Sequence, residues 1–169
     1  MNRKHVICLA IVGSVATLLA GAALATPGSG VLSALVMARA GFADNVDFMF
    51  RVKGQHGKTE VLNVRGAQDV VVQEIKIAPL GHTGWHSHPG PVVVLVKAGA
   101  LTFYSADDPT CTARTYFAGQ AFVDSGQGHA HIARNESADE TLELWATYFD
   151  VPVNGGFRID VPDPGNCTF

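Results

Sequence analysis

Five of the seven histidines in this 169-residue chain fall into two groups, His82, His86 and His88 in one and His129 and His131 in the other. Neutral imidazole binds divalent Fe, Mn, Zn, Ni or Cu, and a site with three protein ligands leaves positions open for water or substrate. Along a β-strand, residues two apart point to the same face, with Cα atoms about 6.5–7 Å apart. His86 with His88, and His129 with His131, can each therefore present two rings to one side of a strand. A closed barrel brings strands that are distant in sequence across from each other, so both groups can meet at one cation inside it. His56, alone between Gln55 and Gly57, reads as a surface residue. No Ser-His-Asp arrangement and no glycine-rich phosphate loop accompanies the histidines, so no general base and no organic cofactor is assigned.

Such a site needs strands to hold it, and the sequence supplies them. Phe48 to Val52, Glu60 to Val64 and Val70 to Ile77 are short runs rich in β-branched and aromatic residues, punctuated by Gly54, Gly57, Gly66 and Pro79. Val92 to Val96 is a continuous apolar run that reads as a strand buried on both faces or nearly so, and Lys97-Ala98-Gly99-Ala100 turns it into Leu101 to Tyr104. Further strands are expected near Arg114 to Phe117, Ala121 to Val123, His129 to Ala133, Leu142 to Val151 and Phe157 to Val161. Val31 to Phe42 is ambiguous, since Ala, Leu and Met favour helix while Leu35-Val36-Met37 suits an edge strand. About ten short strands at near-regular spacing, without a long amphipathic helix, indicate one all-β domain, a sandwich or a barrel. Phe103, Tyr104, Phe117, Phe122 and Phe149 read as its core residues, with Trp85 and Trp145 packed in the barrel or at its mouth.

Composition agrees with a folded domain: 47% of residues are hydrophobic and 16% charged. The net charge of −3 comes without a basic run, which argues against nucleic-acid binding. Residues 1–25 have the pattern of a secretory leader. A positive start, Asn2-Arg3-Lys4-His5, precedes an apolar stretch from Val6 to Leu24, and Ala23-Leu24-Ala25 offers a small-x-small cleavage site. The apolar run approaches membrane-spanning length, but Gly13, Gly21 and its Ala-rich end suit a leader better, leaving no stable span after cleavage near Ala25. Cys8 lies too early for a lipoprotein site, and no Arg-Arg pair is present. A secreted or periplasmic location follows as the expectation. Removal of the leader leaves two cysteines, Cys111 and Cys167, and an oxidising compartment favours a disulfide tying the C-terminal tail to the loop at Asp107-Asp108-Pro109-Thr110.

The histidine spacing goes further than clustering. Gly81-x4-His86-x-His88-x3-Val92-x6-Gly99 resembles the first signature of the cupin superfamily, and Gly128-x2-His131-x3-Asn135, with Gly119 upstream, resembles the second. The two motifs span about 81–99 and 119–135, and Thr83-Gly84-Trp85-His86-Ser87-His88-Pro89-Gly90 is similar to the same region of small single-domain cupins. The resemblance implies a jelly-roll β-barrel, or double-stranded β-helix, of six to ten strands around a divalent metal ion. Residues 46–169 would form this domain and 26–45 an N-terminal extension or edge segment. By position, His86, His88 and His131 match metal ligands. Val92 stands where the family usually places a glutamate ligand, and the second motif lacks its usual proline, with Ser125 and Gly126 near that place.

Three neutral imidazoles would leave a divalent ion its full charge, favouring an anionic or chelating oxygen ligand at the open positions. His129 is the first candidate for a replacement donor, provided its strand is regular, and His82 on the preceding turn is the second. Two functions are expected to compete: a metal-dependent enzyme of oxygenase or isomerase type on a small oxygen-rich molecule, and a non-catalytic domain that binds a small molecule or sequesters or senses metal. The resemblance also implies edge-strand pairing into a homodimer. Asn135 is expected to fix a turn through backbone hydrogen bonds, and Asp107 and Asp108 to form a solvated loop.

Overall fold

Alternation between buried and exposed residues, the period-two pattern of half-covered sheets, runs through most of the chain. A computed structural model describes residues 25–53 and 59–169. Its strands are β1 Ser29–Gly41, β2 Phe48–Lys53, β3 Thr59–Val64, β4 Asp69–His82, β5 His86–Ser87, β6 Val92–Ala98, β7 Ala100–Ser105, β8 Arg114–Phe117, β9 Ala121–Asp124, β10 His131–Arg134, β11 Leu142–Val151 and β12 Ile159–Asp160. No helix occurs among the described residues, and none there is long and apolar enough to cross a membrane. The expected leader lies outside the described residues apart from Ala25, and so does His56.

Every pairing is antiparallel. One layer runs β1-β4-β11-β6-β9 and the other β12-β5-β10-β7-β8. The last residue of β4, His82, pairs with Arg134 of β10 and joins the layers. This nearly closed sheet of ten strands is the jelly-roll barrel expected from the motifs, and β2 and β3 form a separate hairpin. Between the layers lie Val71 and Ile77 of β4, Val92, Val94 and Val96 of β6, Leu101 of β7, Ala133 of β10 and Leu142, Leu144, Ala146 and Tyr148 of β11. Burying a side chain of this size contributes about 1.5–3 kcal/mol, so the interior face of β4, β6 and β11 is the main source of stability.

Several local expectations are corrected. Val92 to Val96 is buried on one face only: Val92, Val94 and Val96 point inward, while Val93 is half-buried and Leu95 is 46% exposed on the outer face. Phe117 is 59% exposed on the outer strand β8, and Phe149 packs on Phe48 and Phe50 of the hairpin instead of in the barrel. Pro79 does not end a strand. The β1 register jumps from Val31↔Ile77 to Ser29↔His82, so no ladder bond is demanded of residue 79. All of the ambiguous segment 31–42 except Phe42 belongs to the edge strand β1, where pairing with β4 overrides helix propensity.

The outer face of the second layer has its own small core. Trp85, Tyr104 and Ile132 are buried there beneath Ala106, Cys111, Val161 and Cys167. A Cys111–Cys167 disulfide clamps the tail over them, closing a separation of 56 residues. On the chain-entropy account such a loop contributes about 4 kcal/mol, by restricting the unfolded chain. The Asn166 amide donates to the carbonyls of Ser105 and Asp108, and Val161 N–H donates to the Trp85 carbonyl, fastening the tail beside His86.

Candidate metal centre

Gly84 makes the turn that aims the first two histidines. Its φ of 73° lies in the left-handed region, and a β-carbon there would strike the Thr26 carbonyl. The chain reverses after β4 and enters β5 with His86. On β10, His131 pairs directly with His86 across the ladder, so the two motifs meet rung to rung. Ring centroids are 4.9 Å apart for His86 and His88, 4.3 Å for His86 and His131, and 5.2 Å for His88 and His131. One nitrogen from each of the three lies within 4.8 Å of the others, and all three residues are buried. His86 Nδ1–H donates to the Gly84 carbonyl at 2.9 Å, and His88 Nδ1–H donates to the Phe157 carbonyl at 2.6 Å. These bonds select the tautomer that leaves Nε2 of both rings unprotonated, ready to donate a lone pair to a cation.

Burial lowers the pKa of all three rings, and the neighbouring rings lower that of His86 further. They are neutral at pH 7, the form that coordinates metal. Asp124, at the end of β9, sits among them with 5% exposure. Its Oδ1 accepts from Gly126 N–H at 3.3 Å, while Oδ2 stands 3.6 Å from His88 Nε2 and 3.5 Å from His131 Nδ1. Asp124 Oδ2 and His131 Nδ1 are both buried without a hydrogen-bond partner among the described residues. Burial pushes the Asp124 carboxyl upward, and His88 draws it partly back. Unpartnered buried polar atoms cost about 1–3 kcal/mol each, and a shared cation would relieve that cost.

The ring shifts set a pH dependence for the metal-free domain. Folded pKa values below the ordinary 6.5 mean that the unfolded chain binds more protons once the pH falls under that value. Stability is thus fully present above pH 6.5 and is lost on acidification, by about 1.4 kcal/mol per pH unit for each ring that stays neutral. The raised Asp124 carboxyl acts with the opposite sign, since the folded chain there takes up its proton at a higher pH than the unfolded chain. Urea midpoints measured at pH 7.5 and 5.5 in chelator check this expectation. Equal midpoints would mean that the rings take up protons without unfolding.

The other candidates are placed elsewhere. His129 precedes β10 instead of lying on it, because its N–H closes a turn onto the Gly126 carbonyl. The shared-face condition therefore fails, and His129 instead meets Asp107 at 2.6 Å on the surface. His82 Nδ1 accepts from Gly84 N–H and is not among the three clustered rings. Trp85 is 1% exposed beneath the tail, on the far side of the layer from the cavity. Asp124 was not singled out from sequence. Its signal is faint, a lone carboxylate closing Ala121-Phe122-Val123-Asp124, and it gains meaning only when β9 is laid beside β6.

A cavity reaches the cluster, walled mainly by apolar residues including Val94, Leu101, Phe103, Phe122 and Leu144. Phe103 stacks on His131 at 4.8 Å and fixes its ring plane. Donors about 2.0–2.1 Å from a tetrahedral ion stand about 3.4 Å apart, and the Asp124 distances to His88 and His131 approach that value. The residues present thus fit a divalent ion of the imidazole-binding class.

No family model matches the chain, and no curated protein matches it. Among solved structures, a cupin domain from Bordetella pertussis is similar at 20% identity and a TM-score of 0.45, over 75% of this chain and 97% of that one. A Klebsiella pneumoniae protein with a double-stranded β-helix domain is similar at 21% identity and 0.43, over 53% and 69%. An oxalate oxidase is similar at 22% identity and 0.41, over 48% of this chain and 41% of its own. These are likenesses of shape, and no chemistry passes from them to this chain.

Proposed function

We propose that the chain is an exported metal-binding domain that holds a divalent first-row transition ion through His86, His88 and His131. A small oxygen-rich molecule, anionic or chelating, takes the remaining coordination positions. The observation that carries this reading is the meeting of three buried neutral imidazoles with mutually facing nitrogens in an otherwise apolar cavity. The bound ion would supply Lewis acidity and, for Fe, Mn or Cu, access to oxygen-dependent chemistry. The chain's part is to exclude water with its aromatic and aliphatic walls. Tyr148 donates its hydroxyl to Gln73 Oε1 at 2.8 Å, and burial raises its pKa, so it orients by hydrogen bonding and does not act as a base.

Among the described residues, and beyond the histidines and Asp124, that wall offers no carboxylate, lysine or thiol to move protons. The bare wall favours an oxygen-dependent conversion over isomerase- or lyase-type chemistry, which needs a positioned base. It equally supports the second reading, a non-catalytic domain that binds a small molecule or senses or sequesters metal. Export is supported by the leader pattern in residues 1–25 and by the Cys111–Cys167 bridge. Elemental analysis of the purified exported form tests the metal, and oxygen uptake with catechols, diketones and thiols tests the reaction. Metal with oxygen uptake supports the enzyme, metal with saturable ligand binding and no uptake supports the second reading, and absence of metal overturns the metal-binding domain and leaves only small-molecule binding.

A further inference from the structure

We propose that Asp124 is a fourth metal ligand, standing in for the carboxylate that Val92 does not provide. The inference rests on the metal-binding reading above and extends it to a residue that matches no ligand position of either motif. In the antiparallel ladder between β6 and β9, Val92 and Asp124 are direct Cα partners. Directly opposed residues point to the same face with β-carbons about 4.5–5.5 Å apart. A carboxylate at 124 therefore reaches the space a longer side chain at 92 would enter, arriving from the neighbouring strand. Both residues line the cavity beside the three histidines.

The local structure aims the carboxylate. Gly126, at a φ of 56°, turns its N–H back onto Asp124 Oδ1, and a β-carbon at 126 would collide with the Gly90 carbonyl. With Oδ1 held, Oδ2 faces His88 Nε2 and His131 Nδ1, and it is buried with no hydrogen-bond partner. A neutral ring pair and an unsatisfied carboxylate oxygen buried in a mainly apolar cavity are an incomplete arrangement without a cation. As a ligand, Asp124 would lower the net charge of the centre from +2 to +1. It would also leave fewer open positions, selecting small chelators over larger ones.

The test compares Co2+ and Zn2+ binding by chelator competition in the unaltered chain, Asp124→Asn and the double variant Val92→Glu/Asp124→Asn. Asp124→Asn is expected to weaken both ions by on the order of 100-fold and to change the visible Co2+ spectrum. The double variant is expected to regain most of that loss, a rescue that a merely structural role for Asp124 would not produce. Metal-loaded crystals of the unaltered chain add a readout independent of how the variants fold. A carboxylate oxygen of Asp124 should stand about 2.0–2.2 Å from the ion. An ion surrounded only by imidazole and water, or an Asp124→Asn variant with unchanged affinity and spectrum, overturns the proposal while leaving the histidine site intact. No binding by the unaltered chain would overturn the metal reading itself.

Discussion

His86→Ala and His88→Ala are each expected to strip the domain of metal at pH 7.5, lowering affinity by at least about 100-fold. Each change removes one of three nitrogens that converge within 4.8 Å, and no fourth imidazole lines the cavity among the described residues. Each also frees a carbonyl, Gly84 for the first and Phe157 for the second, so a stability control is needed. Metal linkage provides it. An ion that binds only the folded chain stabilises it by about 2.7 kcal/mol at 100 times Kd, so Tm of the unaltered domain rises with added metal. The two variants are expected to fold and to lose that rise, whereas His129→Ala, on the exposed Asp107 contact, should keep it in full. Elemental analysis after dialysis and paired melting curves check the pattern. Unchanged metal content in both alanine variants would place the site elsewhere.

The contrast between His129 and His131 shows where sequence spacing stops being sufficient. A period of two places residues on one face only inside a regular strand, and β10 begins at His131. The turn that precedes it, closed by the Gly126 carbonyl, carries His129 outward, and neither end of that turn is marked by a proline. His86 and His88 were legible because the first motif fixes both flanks, from Gly81 before them to Gly99 beyond β6. Asp124 was not legible because its role depends on strand pairing. Residue 124 becomes a neighbour of residue 92 only after β6 and β9 align, across 32 positions of sequence. The all-β class was readable from the regular spacing of short apolar runs, and the choice of barrel over sandwich from the two motifs; the structure adds that every second residue from Leu142 to Tyr148 is buried. Tail placement was readable only through the cysteines. Their pairing implied a clasp, but the hydrogen bond from His88 to the Phe157 carbonyl, just ahead of the clasped segment, could not be inferred from composition.

Asn135→Leu is expected to cost about 3–5 kcal/mol of stability, the largest loss for any polar residue outside the metal cluster. Asn135 is 1% exposed, and its amide nitrogen lies 3.1 Å from the Ile77 carbonyl, 3.0 Å from that of Ala78 and 2.7 Å from that of Glu140. Its side-chain oxygen accepts from Ser137 N–H, and its own N–H donates to the Gly81 carbonyl. One amide, four residues after His131, thus satisfies the stretch of β4 where the register with β1 breaks, just before the turn into His86. A leucine of similar volume fills the space but leaves those carbonyls without a donor. Asn135→Asp separates packing from hydrogen bonding, since it keeps the shape and the bond from Ser137 while turning an oxygen toward three carbonyl oxygens. If donation is what matters, aspartate should be at least as damaging as leucine, and Asn135→Gln intermediate. Denaturant midpoints of the three variants decide it. An aspartate variant within about 0.5 kcal/mol of the unaltered chain would show that residue 135 contributes volume and not its amide hydrogens.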